Sequence, residues 1–398
     1  MDEAGRIELI RELCSFERRG PGTDAERRAA NMLAGRLRAS GRRAETEPTY
    51  VRPPYALVHA LHAAIAIAGS VLATVEPAIG FGLVFAAATS IYLDLNTRFY
   101  LVRRLFFRRA SQNVVSPGPN PDAPLRVILS AHYDAARTGF VFGERSHRLA
   151  SRLSPRMRIL LGPFRLIFWG GIAPLLPILG ARMAGVDAQW LSVLQLIPTV
   201  VLIVAVFLLI DIALSEIVPG AYDNASGVAA VLSAAAALDA DRPPNVDLWV
   251  VLAGAEESNC EGMREFVRAH KRELDEERTV FVIVDGASWG EVHYETSEGA
   301  IASLNLDPEL IELCEALDAA GDRARPVRSP LLTDALPPRV RGYRAISIAS
   351  LTDGLVPPWY HTPEDTPDRL VPASLERTTD FVVSLIRLLD RGAGRAAR

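Results

Sequence analysis

A histidine and an aspartate two residues apart, His132 and Asp134, close the apolar run "PLRVILSAHYD". That run has the composition of a buried strand, so the pair is delivered at a strand end. Other runs end in the same way. "NVDLWVVLAGAEE" finishes on Glu256 and Glu257, "RTVFVIVDG" reaches Asp285, and "YRAISIASL" leads into "PPWYHTPEDT", which carries His361. Asp223 stands just ahead of the alanine-rich helical stretch "ASGVAAVLSAAAALDA". Two histidines and five carboxylates gathered on one edge would repel, and some carboxylates would stay protonated. A pair of divalent cations removes the conflict. Mixed nitrogen and oxygen donors suit zinc best, with cobalt or manganese as substitutes. Each residue alone also has a plain structural reading: a hydrogen-bonded core pair, a solvated glutamate pair, a helix cap, a turn aspartate. Their conjunction at strand ends carries the argument.

The elements that must position these residues alternate strand and helix. Near-continuous apolar strands between helices predict an α/β fold, a three-layer, mostly parallel (mixed) sheet with helices on both faces. Ligands of such sheets bind beyond the carboxyl ends of the strands. Residues 5–40 read as helices broken by Gly20-Pro21-Gly22, with Asp24 as the N-cap of the second. No glycine-rich nucleotide motif follows any strand, and a formal charge of −4 argues against a nucleic-acid partner. Cys14, Cys260 and Cys314 are widely spaced and odd in number, which points to a reducing compartment and to no disulfide framework. The charged N-terminus lacks the apolar core of a signal peptide.

The chain is 49% hydrophobic, with a mean hydropathy of +0.16. Apolar stretches at 55–75 and 78–93 read as one transmembrane hairpin, and those at 159–180 and 190–210 as a second. Arg165 and two prolines weaken the third stretch. Five arginines lie in 97–110 and five more in 145–158, whereas the turns within the hairpins carry few charges. The positive-inside rule then opens both hairpins toward the cytoplasm. An integral protein of the inner or plasma membrane follows, with its soluble parts cytoplasmic and a lipid bilayer as partner. The 145–158 stretch also suits an anionic membrane surface. The expected division is a discontinuous domain of 1–54, 110–139 and 219–398, a hairpin at 55–95, and a basic surface segment with the second hairpin at 140–218.

The segments "ERRGPGTDAERRAANMLAGRLRASG", "SAHYD", "GAYDNASGVAA", "GAEESNCEGMREF", "VDG" and "WYHTPEDT" come in an order that resembles the co-catalytic di-zinc aminopeptidases. That family also contains glutamate carboxypeptidase and catalytically inactive transferrin-receptor-like proteins. The resemblance covers most of the non-membrane sequence. It implies two zinc ions per chain: His132, Asp223 and Asp285 on one, and Asp223, Glu257 and His361 on the other. Glu256 is then the general base toward a metal-bridging water, Asp134 supports His132 through its second nitrogen, and Tyr360 hydrogen-bonds the oxyanion. The implied activity is peptide hydrolysis, most simply removal of N-terminal residues. A non-catalytic receptor on the same fold and a glutaminyl-cyclase-like aminoacyltransferase are the alternatives. A transporter is disfavoured, because Arg165 is the only candidate for a charge inside a span. Two departures stand out. Thr333-Asp334-Ala335 replaces the family's Ser-Asp-His, and Asp223 lies 89 positions after Asp134, across a stretch that holds the second hairpin. The sequence leaves the oligomeric state open.

Overall fold

The computed structural model describes residues 1–396. Among these, nine strands form one sheet: β1 (Glu45–Val51), β2 (Arg109–Ser116), β3 (Leu125–His132), β4 (Val246–Ala253), β5 (Thr279–Val284), β6 (Glu291–Glu298), β7 (Leu304–Asn305), β8 (Ala324–Arg328) and β9 (Arg344–Leu351). The order is β1-β2-β4-β3-β5-β9-β6-β7, with β8 on β6. The central strands β4, β3, β5 and β9 are parallel, and antiparallel pairings build both edges. From β3 the chain winds to β4 on one side, then crosses back to β5 and β9 on the other. The reversal point between β3 and β5 opens a crevice at the carboxyl ends of the strands.

Period-two alternation sorts the strand side chains into two layers. Val127, Leu129, Val250, Leu252 and Val282 pack with Leu9, Leu33, Val228 and Phe381 from helices on one face. Ile128, Val251, Phe281 and Ile283 pack with Met263 and Phe266 on the other. The helix Asp24–Ala39 is capped by Thr23, whose hydroxyl accepts from the Glu26 N–H. Asp24, expected as the cap, is the first helical residue and pairs with Arg27 and Arg28 instead.

Among the described residues, four helices are long and apolar enough to cross a membrane: Tyr55–Leu72, Pro77–Leu95, Pro163–Met183 and Gln189–Leu214. They form one bundle, because the first span packs against both the second and the fourth. A Cβ on Gly80 would lie 2.4 Å from the Gly69 carbonyl oxygen, so small residues bring these two helices together. Between the hairpins, Gln195 donates to the Ser70 carbonyl at 2.6 Å, and the Ser70 and Thr199 hydroxyls lie 2.8 Å apart. Leu196, Ile197, Phe207 and Leu214 face outward, uncovered by protein. Arg165, expected inside the third span, stands at its start. It donates to the Gly299 carbonyl and the Ser303 hydroxyl in the sheet domain.

The long insertion between Asp134 and Asp223 is closed at its neck. Arg137 and Ile217 form an antiparallel bridge. Thr138 N–H donates to Glu216 O at 3.0 Å, and Val218 N–H to Ala136 O at 2.9 Å. The two ends of the insertion therefore lie side by side, and the flanking site residues stay in place.

Candidate active site

Each site residue is carried by a specific turn. His132 is the last residue of β3, and Asp134 follows two residues on. Glu256 and Glu257 occupy a single helical turn after β4, entered through Ala255 at φ 52°. Asp285 follows β5, with its N–H bonded to the Ile348 carbonyl of β9. Asp223 sits in a tight turn after Gly220, which has φ +66°. A Cβ there would meet the Asp223 carbonyl oxygen at 2.5 Å, so the turn requires glycine. His361 lies in the loop after β9, also at positive φ.

The crevice brings all of them together, and Asp223 is the centre. Its Oδ1 lies 3.1 Å from His132 Nε2, which is in turn 3.5 Å from Asp285 Oδ1. Its Oδ2 lies 2.8 Å from His361 Nε2, which is 3.4 Å from Glu257 Oε1. The donor atoms of His132, Asp223 and Glu257 all fall within 4.8 Å of one another. Nitrogen and carboxylate donors converging this closely fit a divalent cation. Glu257 Oε1 is buried with no hydrogen bond, which is costly unless a cation takes it up.

Electrostatics point the same way. Burial raises the pKa of Glu256, Glu257 and Asp285 from their ordinary values, Glu256 well above its own. Burial opposes charge on His132 as well, but Asp134, Asp223 and Asp285 outweigh it and hold its pKa well above the usual value. For His361, Glu257 and Asp223 likewise outweigh burial and raise it to about 10. The imidazoles and carboxylates thus perturb one another at close range, a conflict that a divalent cation among them would relieve.

Asp134 does more than face the imidazole. Its carboxylate is 3.5 Å from His132 Nδ1, too far for a good hydrogen bond. Its oxygens instead accept the Glu256 and Glu257 N–H groups at 3.0 Å each. Tyr360 stacks on the His361 ring with centroids 3.9 Å apart. Phe142, from the insertion, covers the same imidazole at 4.5 Å.

Several supporting residues were not singled out in the sequence. Asp365 accepts from the Tyr222 and Asp223 N–H groups. Glu26 accepts from Gly22, Ser111 and Ala255. Arg19 donates to the Tyr133, Leu13 and Gly220 carbonyls. All three lie inside the quoted motifs, which was the one available signal. Asp334, in the departing Thr-Asp-Ala stretch, is 1% exposed with neither oxygen hydrogen-bonded, and burial raises its pKa to about 8. His293, in the mostly polar strand β6, is buried.

Residues 208–386 match the sequence family described as Peptidase family M28. The match holds Asp223, Glu256, Glu257, Asp285 and His361, while His132 and Asp134 precede it. No curated protein matches the sequence. Solved structures share the chain's fold at low identity. A leucine aminopeptidase precursor from Bacteroides thetaiotaomicron has 15% identity and a TM-score of 0.55, with 97% of each chain covered. A glutaminyl cyclase from the same organism has 15% identity and a TM-score of 0.56, again with 97% of each chain covered. An aminopeptidase from Aneurinibacillus sp. strain AM-1 has 14% identity and a TM-score of 0.56, covering 97% of this chain and 93% of its own.

Proposed function

We propose that this chain is a membrane-anchored metallopeptidase of the M28 type with two zinc ions per chain, removing N-terminal residues from peptides. The observation that carries the reading is Asp223, which offers one oxygen to the His132 side and the other to the His361 side. His132, Asp223 and Asp285 would hold one ion, and Asp223, Glu257 and His361 the other. When bound, the pair supplies Lewis acidity to water and to the scissile carbonyl. Glu256 takes the proton of the attacking water and delivers it to the leaving amine as the carbon–nitrogen bond breaks. Burial raises its pKa, which suits a group that must accept and then return a proton. Asp134 fixes the Glu256–Glu257 turn, and Tyr360 hydrogen-bonds the oxyanion.

Beside Glu257 is a cleft of ≈ 130 Å³, bounded by Tyr55 and Ala56 of the first span, Ala213 of the fourth, Phe107 and Arg109. Such a mouth favours peptides that arrive along the membrane surface. The arginine-rich stretches flanking the hairpins support a cytoplasmic site; reporter fusions at residues 120 and 395 are expected to register as cytoplasmic, and a signal from the opposite side at either position overturns this.

Glu256→Gln tests the chemistry. Bound zinc is expected to persist while hydrolysis of an aminoacyl p-nitroanilide falls by about 10²-fold or more; unchanged turnover removes Glu256 from the role. The likeness to glutaminyl cyclase structures supports a second reading, cyclisation of an N-terminal glutamine. Mass analysis separates the two: loss of ammonia from a glutaminyl peptide marks cyclisation, and loss of the residue marks an aminopeptidase.

A further inference from the structure

The turn that bears Glu256 and Glu257 continues into Asn259 at φ 68° and Cys260 at φ 55°. With Ala255, three of its residues are non-glycine and left-handed, a backbone that L-residues adopt only when their surroundings impose it. From the sheet side, Asp134 and Glu26 accept its N–H groups. From the opposite side it is held by the membrane hairpin. Asn259 Nδ2 lies 2.9 Å from His59 Nε2, in the second turn of the first span. Arg103 donates to the Ser258 carbonyl at 2.9 Å and reaches Glu261 at 3.4 Å. Its other nitrogens hold both oxygens of Asp94, in the last turn of the second span. His59, Asp94 and Arg103 are all fully buried. The third span joins in, with Phe164 edge-on to the His59 ring at 4.9 Å.

We propose that His59 and Arg103 are positioning residues for Glu256 and Glu257, and that the first membrane hairpin sets the conformation of this turn as well as anchoring the chain. The proposal rests on the reading of Glu256 as the base. A charge cluster sealed between the spans and Ser258–Glu261 passes any change in helix position directly to the turn. Peptide hydrolysis is then coupled to the packing of the hairpin in its bilayer, since a base displaced by a fraction of an ångström loses its line to the attacking water.

Removing Arg103 would strand buried carboxylates and threaten folding, so the test uses the neutral link. His59→Ala, Asn259→Gly and the double variant are compared in detergent or lipid nanodiscs. Glycine keeps the left-handed backbone open while deleting the amide. Each single variant is expected to lose about tenfold or more in kcat, with KM within about twofold and zinc content unchanged. The double variant should be no worse than the poorer single. His59→Gln, whose amide oxygen can accept from Asn259, should recover most of the loss. Multiplying losses in the double variant, or a His59→Gln as poor as His59→Ala, overturns the proposal. Amide hydrogen exchange gives a readout independent of turnover. Exchange in 254–262 should quicken in His59→Ala while β3 and β5 are unaffected, and an unchanged rate there also overturns it. Faster exchange in a protein that never hydrolyses peptides would keep the coupling and remove the peptidase reading.

Discussion

The two halves of the pocket rest on different supports. His132 and Asp285 stand at the ends of β3 and β5, neighbouring parallel strands whose ladder runs from Arg126 to Ser130 opposite Thr279 to Ile283. Glu257 and His361 stand on loops, and those loops are held by parts of the chain that a peptidase sheet does not need. His59 and Arg103 tie the Glu257 turn to the first hairpin. Phe142 covers His361, His147 Nε2 lies 3.1 Å from the Val356 carbonyl, and Arg158 donates to the Asp353 carbonyl, all from the second insertion. The strand-borne half is rigid because the sheet is rigid. The loop-borne half is only as rigid as the inserted segments packed on it.

That contrast can be broken most strongly at Asp134, which joins the two halves. Asp134→Ala strands two buried N–H groups at the head of the Glu256–Glu257 turn, a cost of about 1–3 kcal/mol each. We expect kcat to fall about 10²-fold, with exchange rising in 254–262 but not in β5; an equal rise in both would mean that the halves are not mechanically separate. A smaller effect is expected from Phe142→Ala, which strips one face of His361. A ring contact of this kind is worth about 1 kcal/mol, so zinc affinity on the His361 side should weaken severalfold while the His132 side is untouched. Equilibrium dialysis showing equal loss from both sides would erase the distinction. The smallest effect concerns Glu298, which closes β6 and accepts from Thr333 N–H and Oγ1. Burial raises its pKa to about 8. A carboxylate protonated in the fold and ionised when unfolded costs stability as pH rises from about 4.5 toward 8. Glu298→Gln should therefore lessen the fall in melting midpoint between pH 5 and pH 8.5, with little change at pH 5. A fall as steep as that of the parent would show that Glu298 titrates normally.

The strand-borne half was the more legible in the sequence, for a physical reason. Apolar runs ending in His132 or Asp285 mark both the strand and the place where it stops, so the element and its cargo are read together. The antiparallel edges were not legible: "ETEPTYV" carries Pro48, and "EVHYETSE" is polar at alternate positions, although its Glu295 and Glu298 turn out buried. The four apolar helices were legible from hydropathy, but their packing into one bundle depends on Gly69, Gly80 and a few polar contacts that carry no long-range signal. His59 shows the limit most clearly. As a histidine within an apolar stretch it reads as a packed residue, and only its position opposite Asn259, 200 residues away, gives it a task.

The bridge between Arg137 and Ile217 makes the base of the second insertion as narrow as an ordinary hairpin bend. Everything beyond it, from Thr138 to Glu216, projects from the crevice like a branch from a node. Its length and destination are thus decoupled from the geometry of Asp134 and Asp223 on either side. Trimming the branch back to a short turn would keep Asp134 and Asp223 side by side while stripping Phe142, His147 and Arg158 from the loop that bears His361.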